Sequence, residues 1–261
     1  LDPLASGVLP IALGEATKTV SYVMDSKKNY EFTLCWGHET TTDDVEGFPT
    51  LFSGKIPTDD EISKCIPKFV GTIKQKPPDY SAVKINGKRA YQIARNAEKQ
   101  GLKNQMKLRP REVVIHELSL ISNSKTEARF TVLCEKGTYV RSLGRDLGRM
   151  LGSAAHISAL KRLSVGKFDI KDAISLDFLK SLRDSARAKK NILSLLSVLD
   201  DIPALCVTPE EANKIKMGQR ILYFGKSSME NQTSVAICDG LAVALIKLEP
   251  GFIRPIKVFN L

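Results

Sequence analysis

The stretch that most constrains this chain is residues 1–10, LDPLASGVLP, and within it the pair Asp2-Pro3. Pro3 fixes its own φ and keeps Asp2 out of the helical region, so the acid is held at a set angle in a rigid turn. The apolar run 8–13 predicts a buried strand, and Gly14-Glu15-Ala16-Thr17-Lys18 then opens a helix carrying Val20, Val23 and Met24 on one face. A carboxylate buttressed by a strand and a helix is held still enough for chemistry, although Asp-Pro is also an ordinary turn.

Residues 29–36 alternate, with Tyr30, Phe32, Leu34 and Trp36 on the inward side of a half-buried strand. A polar turn, TTTDDVEG, lies between 38 and 50. Thr58-x-x-Glu61 is a capping box opening a helix with Ile62, Ile66, Phe69 and Val70 at helical spacing, kinked or ended by Pro67. Pro77-Pro78 stiffens the loop that holds Tyr80-Ser81-Ala82-Val83-Lys84, and Asn86-Gly87 is a hairpin-type turn. Residues 90–100 return to helix, with Ala90, Ile93, Ala94 and Ala97 inward.

Strands are expected over 111–121 and 126–134, the second alternating Ala128, Phe130, Val132 and Cys134. In CEKGTYVRSLGRDLGRML, Gly137-Thr138 marks a strand-to-helix transition, and Val140, Leu143, Leu147 and Leu151 form the buried stripe of the helix. Arg141 falls in the first turn, where the helix dipole disfavours a cation, so a carboxylate is expected beside it. A strand over 163–170 and helices over 176–183 and 192–199 follow, then a boundary at Asp200-Asp201-Ile202-Pro203. Beyond it, Thr208-Pro209-Glu210-Glu211 caps a short helix ending at Gly218. Strands near Ile221, at 234–238 and at 241–248, with Asp239-Gly240 as a turn, describe a small β-barrel. The expected domains are 1–200 and 203–261.

No apolar segment of the 261 residues is long enough to span a membrane. The formal net charge is +10, with seven basic against six acidic residues in 201–261 and 32 against 23 in 1–200. Such an excess suits either solubility or a polyanionic partner. Five cysteines without CxxC spacing fit reduced thiols in a cytoplasm, with Cys35, Cys134 and Cys238 as small buried hydrophobes. Three separated histidines, His38, His116 and His156, offer no metal-ligand cluster, and neither cofactor nor metal is expected.

LDPLASGVLPIALGEATK closely resembles the central motif of the TruB family of tRNA pseudouridine synthases, and Asp2 falls on the catalytic Asp. The resemblance implies an α+β fold: a mixed, largely antiparallel sheet of pseudouridine-synthase type with flanking helices, followed by a PUA-like RNA-binding β-barrel. It further implies that Tyr30, in the K-x-Y context Lys28-Asn29-Tyr30, lies against the target base, where it could also remove the C5 proton, and that Tyr30 and Arg141 are catalytic with Asp2. TTTDDVEG is similar to the family's T-D-x-x-D-x-x-G segment, with Thr41 in place of the first Asp and Asp44 matching the second, an acid that helps organise the site and its RNA contacts. Tyr80 and Lys84 match the P-x-Y-S-A-x-K loop lining the cleft, a pairing suited to stacking and phosphate binding. KGTYVR places Arg141 beside Asp2 and Tyr139 in the pocket, and Leu160 in ALKRLSVG packs on the bound nucleotide. Arg141, Arg145 and Arg149, four apart, form either a solvated face or a continuation of the RNA track.

The implied activity is isomerisation of uridine 55 in the T loop of tRNA by a cytoplasmic monomer with no obligatory protein partner. A guide-RNA-dependent synthase and an RNA-binding, tRNA-folding module are the alternatives. The family carries a first strand and a Gly-His segment before this motif, so the sequence is expected to be N-terminally truncated.

Overall fold

The computed structural model describes residues 2–102, 106–182, 185–224 and 232–261. Contacts gather the chain into two compact units, residues 1–9 with 25–173, and residues 10–24 with 174–261.

In the first unit a tight turn, closed by the Ala5 N–H donating to the Asp2 carbonyl at 2.9 Å, leads into β1 (Ser6–Gly7). The chain then leaves for α1 (Val20–Asp25) and returns through β2 (Lys28–Trp36), β3 (His38–Thr40), β4 (Pro49–Phe52), α2 (Asp59–Cys65) and β5 (Gly71–Gln75). Next come β6 (Lys84–Ile85), β7 (Lys88–Arg89), α3 (Ala90–Lys99), β8 (Arg111–Asn123), β9 (Glu127–Cys134), α4 (Val140–Met150), β10 (Ala155–Val165) and β11 (Phe168–Asp169). The main sheet runs β1-β10-β2-β9-β8-β5, with β11 folded onto β10, and every pairing is antiparallel except β1 with β10.

The alternations of β2 and β9 meet in one core: Phe32, Leu34 and Trp36 pack with Ala128, Phe130, Val132 and Cys134, with Val140, Leu143 and Leu147 of α4, and with Leu151 at its C-cap. Phe32 and Phe130, paired across the two strands, stack with ring centroids 5.3 Å apart. Local signals also behave as their chemistry requires. Thr58 caps α2 with both halves of the capping box, the helix gives way to a 3-10 turn at Pro67, and Asn86-Gly87 takes positive φ at both positions to turn β6 into β7.

The second unit contains α5 (Leu176–Ser181), α6 (Ser185–Lys189), β12 (Ala204–Cys206), α7 (Pro209–Lys216), β13 (Ile221–Leu222), β14 (Thr233–Cys238), β15 (Leu241–Glu249) and β16 (Phe252–Val258). Its sheet order is β12-β14-β15-β16-β13; β12 and β13 are not paired among the described residues, so the expected barrel is a half-barrel. Ala212 and Ile215 of α7, capped by Thr208, enter its core. Residues 10–24 belong here because Tyr22 packs with Leu199, Val235, Leu245 and Phe259. Lys18 Nζ also donates to the Val258 carbonyl at 2.8 Å, and the Asn260 N–H donates to Glu15 at 2.7 Å.

Several expectations are corrected. The run 8–13 is not a buried strand: only Ser6–Gly7 pairs, Val8 is buried, and Leu9, Ile11 and Leu13 are exposed. The following helix starts as a 3-10 turn, and Val20 and Met24 face outward while Tyr22 packs inward. The strand expected over 163–170 ends at Val165 and begins at Ala155; shifts of register between Ile157 and Ala159, and between Arg162 and Ser164, break the two-residue period that would have revealed it. Residues 192–199 hold only a 3-10 turn, Leu195–Val198. The helix expected over 176–183 stops at Ser181, and its expected end, Arg183, lies outside the described residues. Cys134 is buried as expected, but Cys35 and Cys238 are partly exposed. No described helix is long and apolar enough to cross a membrane.

Candidate active site

The Asp2 turn is anchored twice. Leu4 and Ala5 pack against the first unit's core, and Gly7 and Val8 lie along β10, where the Val8 N–H donates to the Arg162 carbonyl at 2.9 Å and Arg162 Nε donates to the Val8 carbonyl at 2.7 Å. Gly7 sits at φ 97°, and a Cβ there would fall 2.1 Å from the Arg162 carbonyl oxygen. Only glycine lets the backbones approach this closely. The turn therefore presents the Asp2 carboxylate from a fixed position, one-third exposed.

Facing it is Arg141, in the first turn of α4. Gly144 and Gly148 let this helix lie close on the sheet, the first against Leu34 and Ile157 and the second against Ala154 and Ala155. All five guanidinium N–H groups of Arg141 have acceptors. Nε and Nη2 grip Asp2 at 2.7 and 3.2 Å, Nη1 donates to the Thr42 carbonyl at 3.0 Å and Asp44 at 3.2 Å, and Nη2 also donates to the Tyr80 carbonyl at 3.1 Å. The planar fork suits such a complete set, and two carboxylates offset the cost of a cation at a helix N-terminus. The sequence demands a carboxylate here; the structure supplies two.

Asp44 is buried and held by the Thr42 hydroxyl and the Glu46 N–H, while the turn is pinned to β10 by Val45 N–H donating to the Ile157 carbonyl at 3.1 Å. Further along α4, Arg145 Nη1 donates to Asp43 at 2.7 Å, and Arg149 grips both oxygens of Glu39 at 2.6 Å. The stripe of three arginines is ion-paired along its length, although Arg149 stays more than half exposed. Arg145 is buried and Arg149 is ion-paired, and each arginine clasps an acid of the 39–44 segment. Burial pushes the Asp43 carboxyl up to about 6, against the opposing pull of Arg145.

Tyr30 is half-buried on β2 against the core, with Arg162 as its partner across the strands. Burial pushes its phenol up, and Arg162 pulls the other way. Tyr80 contributes its carbonyl to Arg141, while its hydroxyl donates to Glu98 at 2.9 Å and is pushed up to about 12 by burial and that carboxylate. Tyr139 stands at the N-cap position of α4, its N–H donating to Gln75 Oε1 at 2.8 Å and its ring packing by Val83, Ala90 and Leu108. Lys84 is exposed in the β6–β7 hairpin, and Leu160 is buried in the core cluster opposite Phe32. The structure thus joins Asp2, Asp44, Arg141 and the Tyr80 backbone through direct bonds, and shows no such bond from Lys84 or Leu160.

Sequence reasoning missed Asp43 and Arg162. The signal for Asp43 was the four-residue spacing of the arginines set against a run of acids and threonines; for Arg162 it was a cation amid an apolar segment. A cavity of about 630 Å³ is lined by Asp43, Phe48, Tyr80, Arg145 and Arg149 among others, and neither Asp2 nor Arg141 lines it. Among the described residues no group of three or more His, Cys, Asp or Glu side chains is placed to hold a metal.

Comparison with solved structures defines the class first. The chain superposes on "Crystal Structure of a Cbf5-Nop10-Gar1 Complex" with a TM-score of 0.70 at 22% identity, covering 99% of this chain and 74% of the other. It superposes equally well, at 20% identity over 100% of this chain and 74% of the other, on "Structure of H/ACA RNP bound to a substrate RNA containing 2'-deoxyuridine". The chain shares the fold of these proteins. Sequence then specifies the family. Residues 1–140 match "TruB family pseudouridylate synthase (N terminal domain)" and residues 141–202 match "tRNA pseudouridylate synthase B C-terminal domain". Relatives called tRNA pseudouridine synthase B are 47% identical in Bradyrhizobium diazoefficiens, over 100% of this chain and 76% of the relative, and 39% identical in Caulobacter vibrioides, over 100% and 85%. The chain belongs to the TruB family of pseudouridylate synthases.

Proposed function

We propose that the protein isomerises uridine to pseudouridine in tRNA, at position 55 of the T loop, with Asp2 acting on a flipped-out nucleotide. The observation that supports this most is the two-point grip of buried Arg141 on a carboxylate that is itself one-third exposed. That geometry holds the Asp2 carboxylate aimed while leaving it open to a substrate. The C1′–N1 bond breaks, the uracil turns, a C1′–C5 bond forms, and the C5 proton is lost while the freed N1 gains one, so that product and substrate are isomers. The Asp2 carboxylate serves either route open to it, attack at C1′ or removal of a sugar proton. Flipping the nucleotide costs roughly a few kcal/mol, and stacking on an aromatic such as Tyr30 returns about 1–3 kcal/mol. Burial keeps Tyr30 a neutral phenol, which favours a stacking role over that of a C5 base.

The half-barrel of 203–261 is assigned to RNA binding, with Tyr80, Lys84, Tyr139 and Leu160 as substrate-side residues. A stand-alone cytoplasmic monomer fits better than a guide-dependent enzyme, because likeness to the tRNA synthases reaches 47% identity and likeness to the multi-component complexes 22%. Asp2→Asn should abolish tritium release from C5-labelled uridine in a tRNA transcript, with the affinity for tRNA within about twofold of the original. Full release from Asp2→Asn would end the catalytic assignment. Release by the unaltered protein, from a T-stem-loop hairpin and with nothing else added, tests both the substrate and the lack of an obligatory partner.

A further inference from the structure

We propose that Asp43 and Arg145 are a positioning pair: their contact holds the 41–44 turn in register with α4, so that Asp44 and the Thr42 carbonyl keep Arg141 aimed at Asp2. This rests on Asp2 and Arg141 being the catalytic pair.

Successive acids of one turn reach successive turns of one helix, Asp44 to Arg141 and Asp43 to Arg145. Residues four apart share a helix face, so the two contacts work as a two-point attachment. The turn's backbone is pinned to β10 through Val45 and Ile157, and the Asp43 contact adds a second side-chain attachment to α4 beside the one at Arg141. Arg145 does not follow the turn, because Nη2 donates to the Lys76 carbonyl and Nε to Asp146, each at 3.0 Å. Asp43 itself sits at φ 61°, a left-handed conformation that surrounding contacts must hold. Its N–H donates to the Thr40 carbonyl at 3.2 Å and its carbonyl accepts from Ile157 at 3.0 Å, leaving the side chain as the link to α4. A buried pair of this kind contributes little net stability compared with an apolar one. Here it sets geometry one step from the acid that acts.

The pair is also open to titration. Asp43 faces Arg141, Arg145, Arg149 and Asp146 from α4 and has Asp44 as its chain neighbour, and Asp44 in turn acts on the ring of His156 of β10. The cavity beside the pair gives a proton a way in. As pH falls through about 6, Asp43 takes up a proton and the charge-assisted contact is lost. Burial holds His156 below its usual range, so its own titration must be separated by experiment.

The test measures kcat and tRNA affinity for Asp43→Asn, Arg145→Gln, the double variant and Arg145→Lys, from pH 5 to 8, with Asp2→Asn as reference. Each of the first two should lower kcat about tenfold with affinity within about twofold, and the double should be no worse than either, as expected for two groups acting as one unit. Arg145→Lys, which can still reach Asp43, should recover most of the loss. The acid limb of the unaltered enzyme should be absent from Asp43→Asn. Unchanged kcat in the single variants, independent losses in the double, or an acid limb that survives in Asp43→Asn and so belongs to a group such as His156 would each overturn the positioning role. An inactive Asp2→Asn beside fully active pair variants refutes the pair alone; an active Asp2→Asn refutes the catalytic assignment beneath it.

Discussion

At the scale of single residues, the site depends on groups whose neighbours leave them no alternative. Gly7 is one: a methyl there would meet the Arg162 carbonyl at 2.1 Å with φ at 97°. Gly7→Ala should destabilise the protein by at least about 2 kcal/mol in urea unfolding, and should lower turnover in whatever stays folded, because the Asp2 turn must lift off β10. Asp43 carries a pH signature of its own. Its carboxyl titrates near 6 in the folded chain against an ordinary 3.8, so the folded state binds the proton more tightly. Its contribution therefore turns against folding as pH rises from about 4 to about 6, the reverse of a carboxylate whose value is lowered. Urea melts of the unaltered protein and Asp43→Asn should show their difference in unfolding free energy moving against the unaltered protein across that window. Among these residues Asp2 and Arg141 were visible beforehand, the first from its turn and the second from its awkward place at a helix start. That they are each other's partner came from family resemblance, since the residues alone demanded some carboxylate without saying which.

At the scale of elements, α4 and β10 organise the site, and they were not equally legible. Val140, Leu143 and Leu147 of α4 and Leu151 at its C-cap recur at helical spacing and are buried. β10 pairs with β1, β2 and β11, yet two shifts of register hide its alternation. A bulge re-aims side chains, and so removes the pattern by which a strand is recognised. The close approach of α4 to β10 rests on Gly148, where a Cβ would lie 2.9 Å from that of Ala155 and 3.0 Å from the Ala155 nitrogen. Ala in place of Gly within a helix gains about 1 kcal/mol, but here it meets backbone that cannot yield, and overpacking costs about 1–3 kcal/mol. Gly148→Ala should therefore lower the stability by about 1 kcal/mol in chemical denaturation and reduce kcat by shifting Arg141.

At the scale of the whole molecule, the +10 charge gives a polyanion a general attraction that no single contact explains. Affinity for tRNA should fall at least about tenfold between roughly 50 and 200 mM salt, as phosphate contacts release counterions. An affinity indifferent to salt in a filter-binding titration would count against an extended electrostatic contact. The two compact units are not consecutive halves, because residues 10–24 pack with 174–261. Exposed Leu9, Ile11 and Leu13 carry the chain out of the first unit, and the apolar pattern that suggested a buried strand marks this passage instead.

What the sequence determined by itself was local: the Asp-Pro turn, the capping boxes at Thr58 and Thr208, the Asn-Gly hairpin and the alternation of β2 and β9 all follow from forces between near neighbours in the chain. Tertiary structure decided which acid each arginine of α4 holds, the path of β10, and the return of residues 10–24 to the distant C-terminal sheet. Those outcomes depend on groups as far apart as Asp2 and Arg141, 139 positions along the chain. Only packing brings such groups within 3 Å, and no short-range preference encodes it.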